Sequence, residues 1–163
     1  MPEPDPTAST ATCTCGDYQL HSRMFREDYI LRIIQQLVDA IARIAGLNRR
    51  GEHDKALAEA EQAWGKLLDA PRELIDAVDT PTLASMLRDP EKMRVAAQLL
   101  HEEGRALAGK GDPLHAALRY RRAMELILEA RAIDPSDSDD TILMELSRLV
   151  PTTALDPRYR SPR

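Results

Sequence analysis

Between Glu27 and Asn48 the apolar residues fall at Ile30, Ile34, Leu37, Ile41 and Ile44. This 4-3-4-3 spacing is the seam of a helix and cannot line one side of a strand, where every second residue shares a face. Leu31, Val38 and Ala45, seven apart, widen the stripe. The segment is therefore expected to be a helix buried on more than one side and central to the fold. At ~1.5 Å per residue it would span about 33 Å. Arg49, Arg50 and Gly51 then supply cations and a left-handed cap suited to a helix C-terminus.

The same period continues. A second helix is expected from Glu52 to Leu68, with Leu57, Ala60, Trp64, Leu67 and Leu68 on one face, and a short third after Pro71 with Leu74, Ile75 and Val78. Thr80-Pro81 and Asp89-Pro90 each set a capping side chain before a proline fitted to the first helical position. They predict a short helix with Leu83, Met86 and Leu87, and a long one that ends at Gly109-Lys110-Gly111. Asp112-Pro113 opens another, with Leu114, Ala117, Leu118, Met124, Ile127 and Leu128, lasting to Asp134-Pro135. A last helix is expected from about Asp140 to Val150, burying Ile142, Leu143, Leu146 and Leu149. No run of β-branched alternation reaches strand length. The expected class is all-α, with five to seven helices.

Composition bounds what such a helical chain can be. Apolar residues make up 43% of the 163, aromatics 4% and charged residues 30%, with a formal net charge of -5. That is too apolar for a disordered chain, and no stretch approaches the ~18 apolar residues of a spanning helix. The acidic balance argues against nucleic acid as the main partner, because phosphate neutralisation needs surplus Lys and Arg. Residues 1–23, with Pro2, Pro4, Pro6 and a small polar run, carry no period and no secretory pattern. They are expected as a disordered leader, with Met24 the natural opening of a single domain over 24–150. Residues 151–163, with three prolines and three arginines, are expected as a flexible basic tail. The expected setting is soluble and cytoplasmic, without membrane attachment.

Two segments match at an offset of 60 residues. Gly51-Glu52, Ala56, Ala60 and Ala63 correspond to Gly111-Asp112, Ala116, Tyr120 and Ala123. Each follows a long helix. The pattern resembles the tetratricopeptide repeat, a helix hairpin of about 34 residues. The second copy fits better, with Gly104, Gly111, Asp112, Ala116, Tyr120 and Ala123. The 60-residue period and the lack of a closing proline at Leu68 and Leu128 depart from the repeat, which implies two antiparallel hairpins separated by an insert over 70–88. The stretch Phe25 to Ile30, of form Phe-x-x-Asp-Tyr-Ile, also resembles an uncharacterised family of small bacterial helical proteins. That likeness, over 24–150, implies the fold and no established activity.

Candidate chemistry is sparse. Cys13 and Cys15, with His21, fall short of a four-ligand zinc site, and the histidines form no His-Glu-x-x-His or Glu-x-x-His pattern. No metal, cofactor or catalytic residue is expected. There is neither a glycine-rich phosphate loop nor a nucleophile elbow. In Arg119-Tyr120-Arg121-Arg122, Glu125 and Glu129 follow at helical spacing, so intrahelical ion pairs are expected to absorb the charge.

The leading expectation is a non-catalytic protein–protein interaction or adaptor domain whose partner is another protein or peptide. The alternative is a structural homo-oligomer, possible as a homodimer, built through helix 27–48; a small enzyme ranks third. The repeat resemblance implies groove-lining positions on the first helix of each hairpin. These are Val38, Ile41, Ala45 and Asn48 in the first copy, and Gln98, His101, Arg105 and Ala108 in the second. The polar members, Asn48, Gln98, His101 and Arg105, are the candidate contacts, with Arg105 the strongest anchor.

Overall fold

The helical period is realised along the chain. The computed structural model describes residues 16–160 and is all-α: α1 (Gly16–Arg49), α2 (His53–Leu67), α3 (Arg72–Ala77), α4 (Thr80–Leu87), α5 (Pro90–Gly109), α6 (Pro113–Ile133) and α7 (Asp137–Ser147). Two single-turn 3-10 helices follow, Thr152–Ala154 and Pro157–Tyr159. No strand occurs among the described residues.

The chain divides into two units, 1–32 and 33–163. In the first, α1 begins at Gly16, so residues 16–23 are helical where an aperiodic leader was expected; 1–15 lie outside the described residues. Tyr29 and Leu31 of this unit are exposed.

In the second unit the centre is α5, not α1. From the part of α1 in this unit, Leu37, Ala40, Ile44 and Asn48 are buried, while Val38 is 43% exposed, so the widened stripe is not covered. By contrast α5 buries Met93, Val95, Ala96, Ala97, Leu99, Leu100 and Ala106 together with Arg94, His101, Glu102 and Glu103. It packs against α2, α4 and α6, so no side of it is left entirely to solvent. A buried charge hides from a hydropathy pattern, which is why the spacing favoured α1.

The two turns at the 60-residue offset make the same bonds. Arg50 N and Glu52 N donate to the Leu47 carbonyl at 3.1 and 3.0 Å; Lys110 N and Asp112 N donate to the Leu107 carbonyl at 3.1 and 2.9 Å. Gly51 and Gly111 hold φ of 75° and 83°, the left-handed region in which a Cβ is strained. Asp89 and Asp112 cap α5 and α6 as expected, accepting from Lys92 N and His115 N at 3.2 Å each. The cap of α4 is Asp79 and not Thr80: Asp79 accepts from Thr82 N at 2.9 Å. The Thr80 hydroxyl is drawn away by a buried carboxylate, donating to Glu125 Oε2 at 2.6 Å.

Three further expectations change. Helix α7 starts at Asp137 because Asp139 accepts from Ser136 N at 3.3 Å, and Leu149 beyond its end is exposed. On α6 the buried face is Ala116, Tyr120, Ala123, Leu126, Ile127 and Ala130, leaving Leu114 and Leu118 exposed. Finally, 151–160 is not a frayed tail. Leu155 and Tyr159 are buried, Asp156 N donates to Glu125 Oε1 at 2.9 Å, and the Tyr159 hydroxyl donates to Glu129 Oε1 at 2.8 Å. Two apolar side chains four apart, with Pro157 between them, are too few to establish a period, yet the segment bonds to α6 through the Asp156 amide and the Tyr159 hydroxyl. Residues 161–163 lie outside the described residues.

Small residues set how closely helices approach. A Cβ on Gly104 of α5 would stand 2.5 Å from Cε1 of Tyr120 on α6. On Gly65 of α2 it would meet nothing. Gly104→Ala is therefore expected to cost ~1–3 kcal/mol through forced displacement of the ring. Gly65→Ala should gain roughly 0.5–1 kcal/mol from helix propensity. Urea midpoints of the two variants, moving in opposite directions, check the assignment.

Candidate functional site

Besides the Arg94–Asp139 pair that joins α5 to α7, polar groups inside the second unit gather in two clusters and one cavity. In the first cluster Asn48 Nδ2 donates to both the Glu102 carbonyl, at 2.9 Å, and Glu102 Oε2, at 2.8 Å. Arg105 Nη1 donates to Glu102 Oε1 at 3.0 Å. Thus Asn48 and Arg105, which the repeat pattern puts in different copies, meet on one carboxylate. His101 is buried, its ring tilted against Tyr120 with centroids 5.7 Å apart, and its Nε2 lies 3.5 Å from Glu145 Oε1. Burial lowers the His101 pKa, although the charges of Glu145 and Glu102 oppose the shift. Gln98 alone of the four candidates is exposed; Asn48 and His101 are 8% and 7% exposed, and Asn48 spends its amide on Glu102.

The second cluster centres on Glu103, 4% exposed. It accepts from Trp64 Nε1 at 2.9 Å and from Arg72 in a two-pronged bond at 2.9 and 2.8 Å. Arg119 Nε stands 3.4 Å away, and the Arg72 guanidinium lies 5.1 Å from the Trp64 ring centroid. Trp64 is buried as its helical face predicts, at 1% exposure, but its partner lies on α5. Asp76 of α3 bridges both arginines, at 3.2 Å to Arg72 Nε and 2.6 Å to Arg119 Nη1. Burial would raise the Asp76 pKa, but the bond from Arg119 and the charge of Arg72 outweigh it and hold the carboxyl below its usual value.

Beside this cluster lies a cavity of about 670 Å³, walled by α6, the segment joining α3 to α4, and the docked 154–160. Five arginines line it, Arg119, Arg121, Arg122, Arg158 and Arg160, against four carboxylates. The intrahelical account of the Arg119–Arg122 run holds for one contact, Arg121 Nε to Glu125 Oε1 at 3.8 Å. Arg119 instead reaches α3, and Arg122 Nη2 donates to the Val78 carbonyl at 2.6 Å. Glu129 is taken by Tyr159 and by Arg158 Nη2, the latter at 3.2 Å. The available signal was the arginine run together with Arg158 and Arg160, but only the docked terminus brings the two sets to one place. Arginine keeps its proton, so all five remain cations.

Cys13 and Cys15 lie outside the described residues. Among the described residues no three His, Cys, Asp or Glu side chains stand together as a metal site, and no helix is long and apolar enough to cross a membrane. Comparison with known proteins returned no matching family model, no matching curated protein and no matching solved structure.

Removing Glu103 would leave the buried Trp64 indole N–H without its acceptor and Arg72 with Asp76 alone. Glu103→Ala is expected to cost ~3–5 kcal/mol, with a shift of tryptophan emission in the folded protein; loss below ~1 kcal/mol would show that the cluster is readily hydrated. Leu155, at 1% exposure, anchors the cavity wall. Leu155→Ala should cost ~2–4 kcal/mol in chemical denaturation, whereas an undocked tail would lose nothing.

Proposed function

We propose that this chain is a non-catalytic protein–protein interaction domain, built on two tetratricopeptide-repeat-like hairpins and working in the cytoplasm. The matched turns at Gly51 and Gly111 and the tight Gly104–Tyr120 approach support the hairpin reading. One observation carries the functional reading. Leu114 and Leu118, one turn apart on α6, are 70% and 45% exposed, and Leu118 lines the arginine-bearing cavity. Apolar side chains left in water beside Arg121, which is half-exposed and reaches its carboxylate only at 3.8 Å, suit a partner segment that is itself apolar and acidic. Gln98 and Arg105 on α5 remain candidate contacts of a second, smaller kind.

A homo-oligomer through helix 27–48 is the second reading, favoured by the exposure of Val38 on α1. Solution mass separates the two, since an isologous dimer doubles it.

The interaction reading is tested with an array of acidic, leucine-bearing peptides. Leu118→Asp and Arg121→Glu should each weaken binding about tenfold or more. Both residues are exposed, so the thermal midpoint should hold. Affinities unchanged in both variants would remove this face from consideration.

A further inference from the structure

Arg122 is the only described residue with a buried side-chain nitrogen, Nε, that has no hydrogen-bond partner. The residue is 9% exposed and lines the 670 Å³ cavity. Its one side-chain hydrogen bond among the described residues goes to a neutral carbonyl, that of Val78. Burial pushes its guanidinium below the usual value; Asp76 and Glu125 act against the shift from a distance, while Arg119 and Arg72 add to it. A buried cation without a counter-charge is costly, and a polar atom left unpaired in a dry site needs an explanation.

The cavity's own carboxylates cannot supply the missing charge without breaking other bonds. Asp76 is held by Arg72 and Arg119. Glu125 accepts from the Thr80 hydroxyl and the Asp156 amide. Asp79 caps α4, and Asp156 accepts from Arg158 N at 3.0 Å. Arg121 shares the wall, is 44% exposed, and reaches its nearest carboxylate only at 3.8 Å.

We propose that this cavity is a carboxylate-binding site, in which an external carboxylate gives the Arg122 guanidinium its missing counter-charge, with Arg121 as the second donor. Of the five lining arginines, Arg119 and Arg158 are held by Asp76 and Glu129, while Arg122 and Arg160 bond only to backbone carbonyls and Arg121 has its carboxylate at 3.8 Å, so these three are the donors open to an external monoanion. A dianionic phosphate would face the cavity's carboxylates with twice the repulsion. The volume suits a small organic acid as well as an acidic side chain of a bound segment, and the guanidinium fork fits the planar group in either case. The site goes beyond the interaction reading, because it stands on Arg122 whichever source provides the carboxylate.

The test reads the Arg122 Nε–Hε resonance of the full chain by NMR during titration with three probes. These are butyrate, inorganic phosphate, and a capped nine-residue peptide with two leucines and one glutamate, paired with its glutamine twin. Butyrate should move the resonance saturably and raise the thermal midpoint, and phosphate should need a higher concentration. If the glutamate peptide displaces butyrate and binds about tenfold tighter than its twin, the source is a partner's side chain. If butyrate alone acts, the source is a free acid. Arg122→Met, which keeps the buried stem, should abolish the butyrate-induced rise in midpoint; should it fail to fold, Arg121→Gln should weaken the response instead. A resonance indifferent to butyrate and to the glutamate peptide overturns the site, as does tighter binding of phosphate. Butyrate binding to Arg122 while Leu118→Asp leaves peptide affinity unchanged would sink the α6 interaction face and leave this site standing.

Discussion

The carboxylate of Glu103 is the point on which the second unit turns. It sits near the middle of α5 with almost no water contact, and it holds Trp64 of α2 and Arg72 of α3 by direct hydrogen bonds, with Arg119 of α6 close by. A buried ion pair is weak evidence of net stability, since desolvation offsets much of the attraction. Its consequence here is specificity of arrangement. Apolar packing alone would let α2, α3 and α6 slide along α5 at little cost, whereas a charge with three partners from three helices accepts one arrangement.

Arg94 does similar work at the other end of α5. Its Nε and Nη2 donate to Asp139 at 2.7 and 3.0 Å, tying α5 to α7 through a carboxylate that is 1% exposed. Strong pairing with Asp139, against the opposing effect of burial, raises the Arg94 pKa. Directly after Glu103, the close packing of Gly104 on Tyr120 brings α5 and α6 together. The helix that a hydropathy pattern would rank as too charged to be central is central because its charges are matched one by one.

Against that frame Arg122 is the exception. Other buried ionic side chains of this unit, Arg94, Glu102, Glu103, Glu125 and Asp139, have charged or hydrogen-bonding partners that suit them. Arg122 has a carbonyl and an unpartnered Nε. The cavity beside it exists because 154–160 folds back on Leu155 and Tyr159, so the basic terminus and the arginines of α6 face one space.

The class of the fold, the positions of most helices, the left-handed turns and the proline-marked caps at Asp89 and Asp112 are local matters, and the sequence determined them. Each depends on spacing or on the conformational limits of glycine and proline within a few residues. The tertiary structure alone decided which helix is central, which candidate polar residues are buried, where 151–160 docks and where the arginines gather. Those outcomes depend on pairing between residues tens of positions apart, such as Glu103 with Trp64 or Glu125 with Asp156. A charged side chain reads as surface until its partner is known, because burial becomes tolerable only when a second charge or donor arrives from elsewhere in the chain. Asn48 and Arg105 show the limit: the sequence placed each on the correct helix, and only folding set both on Glu102.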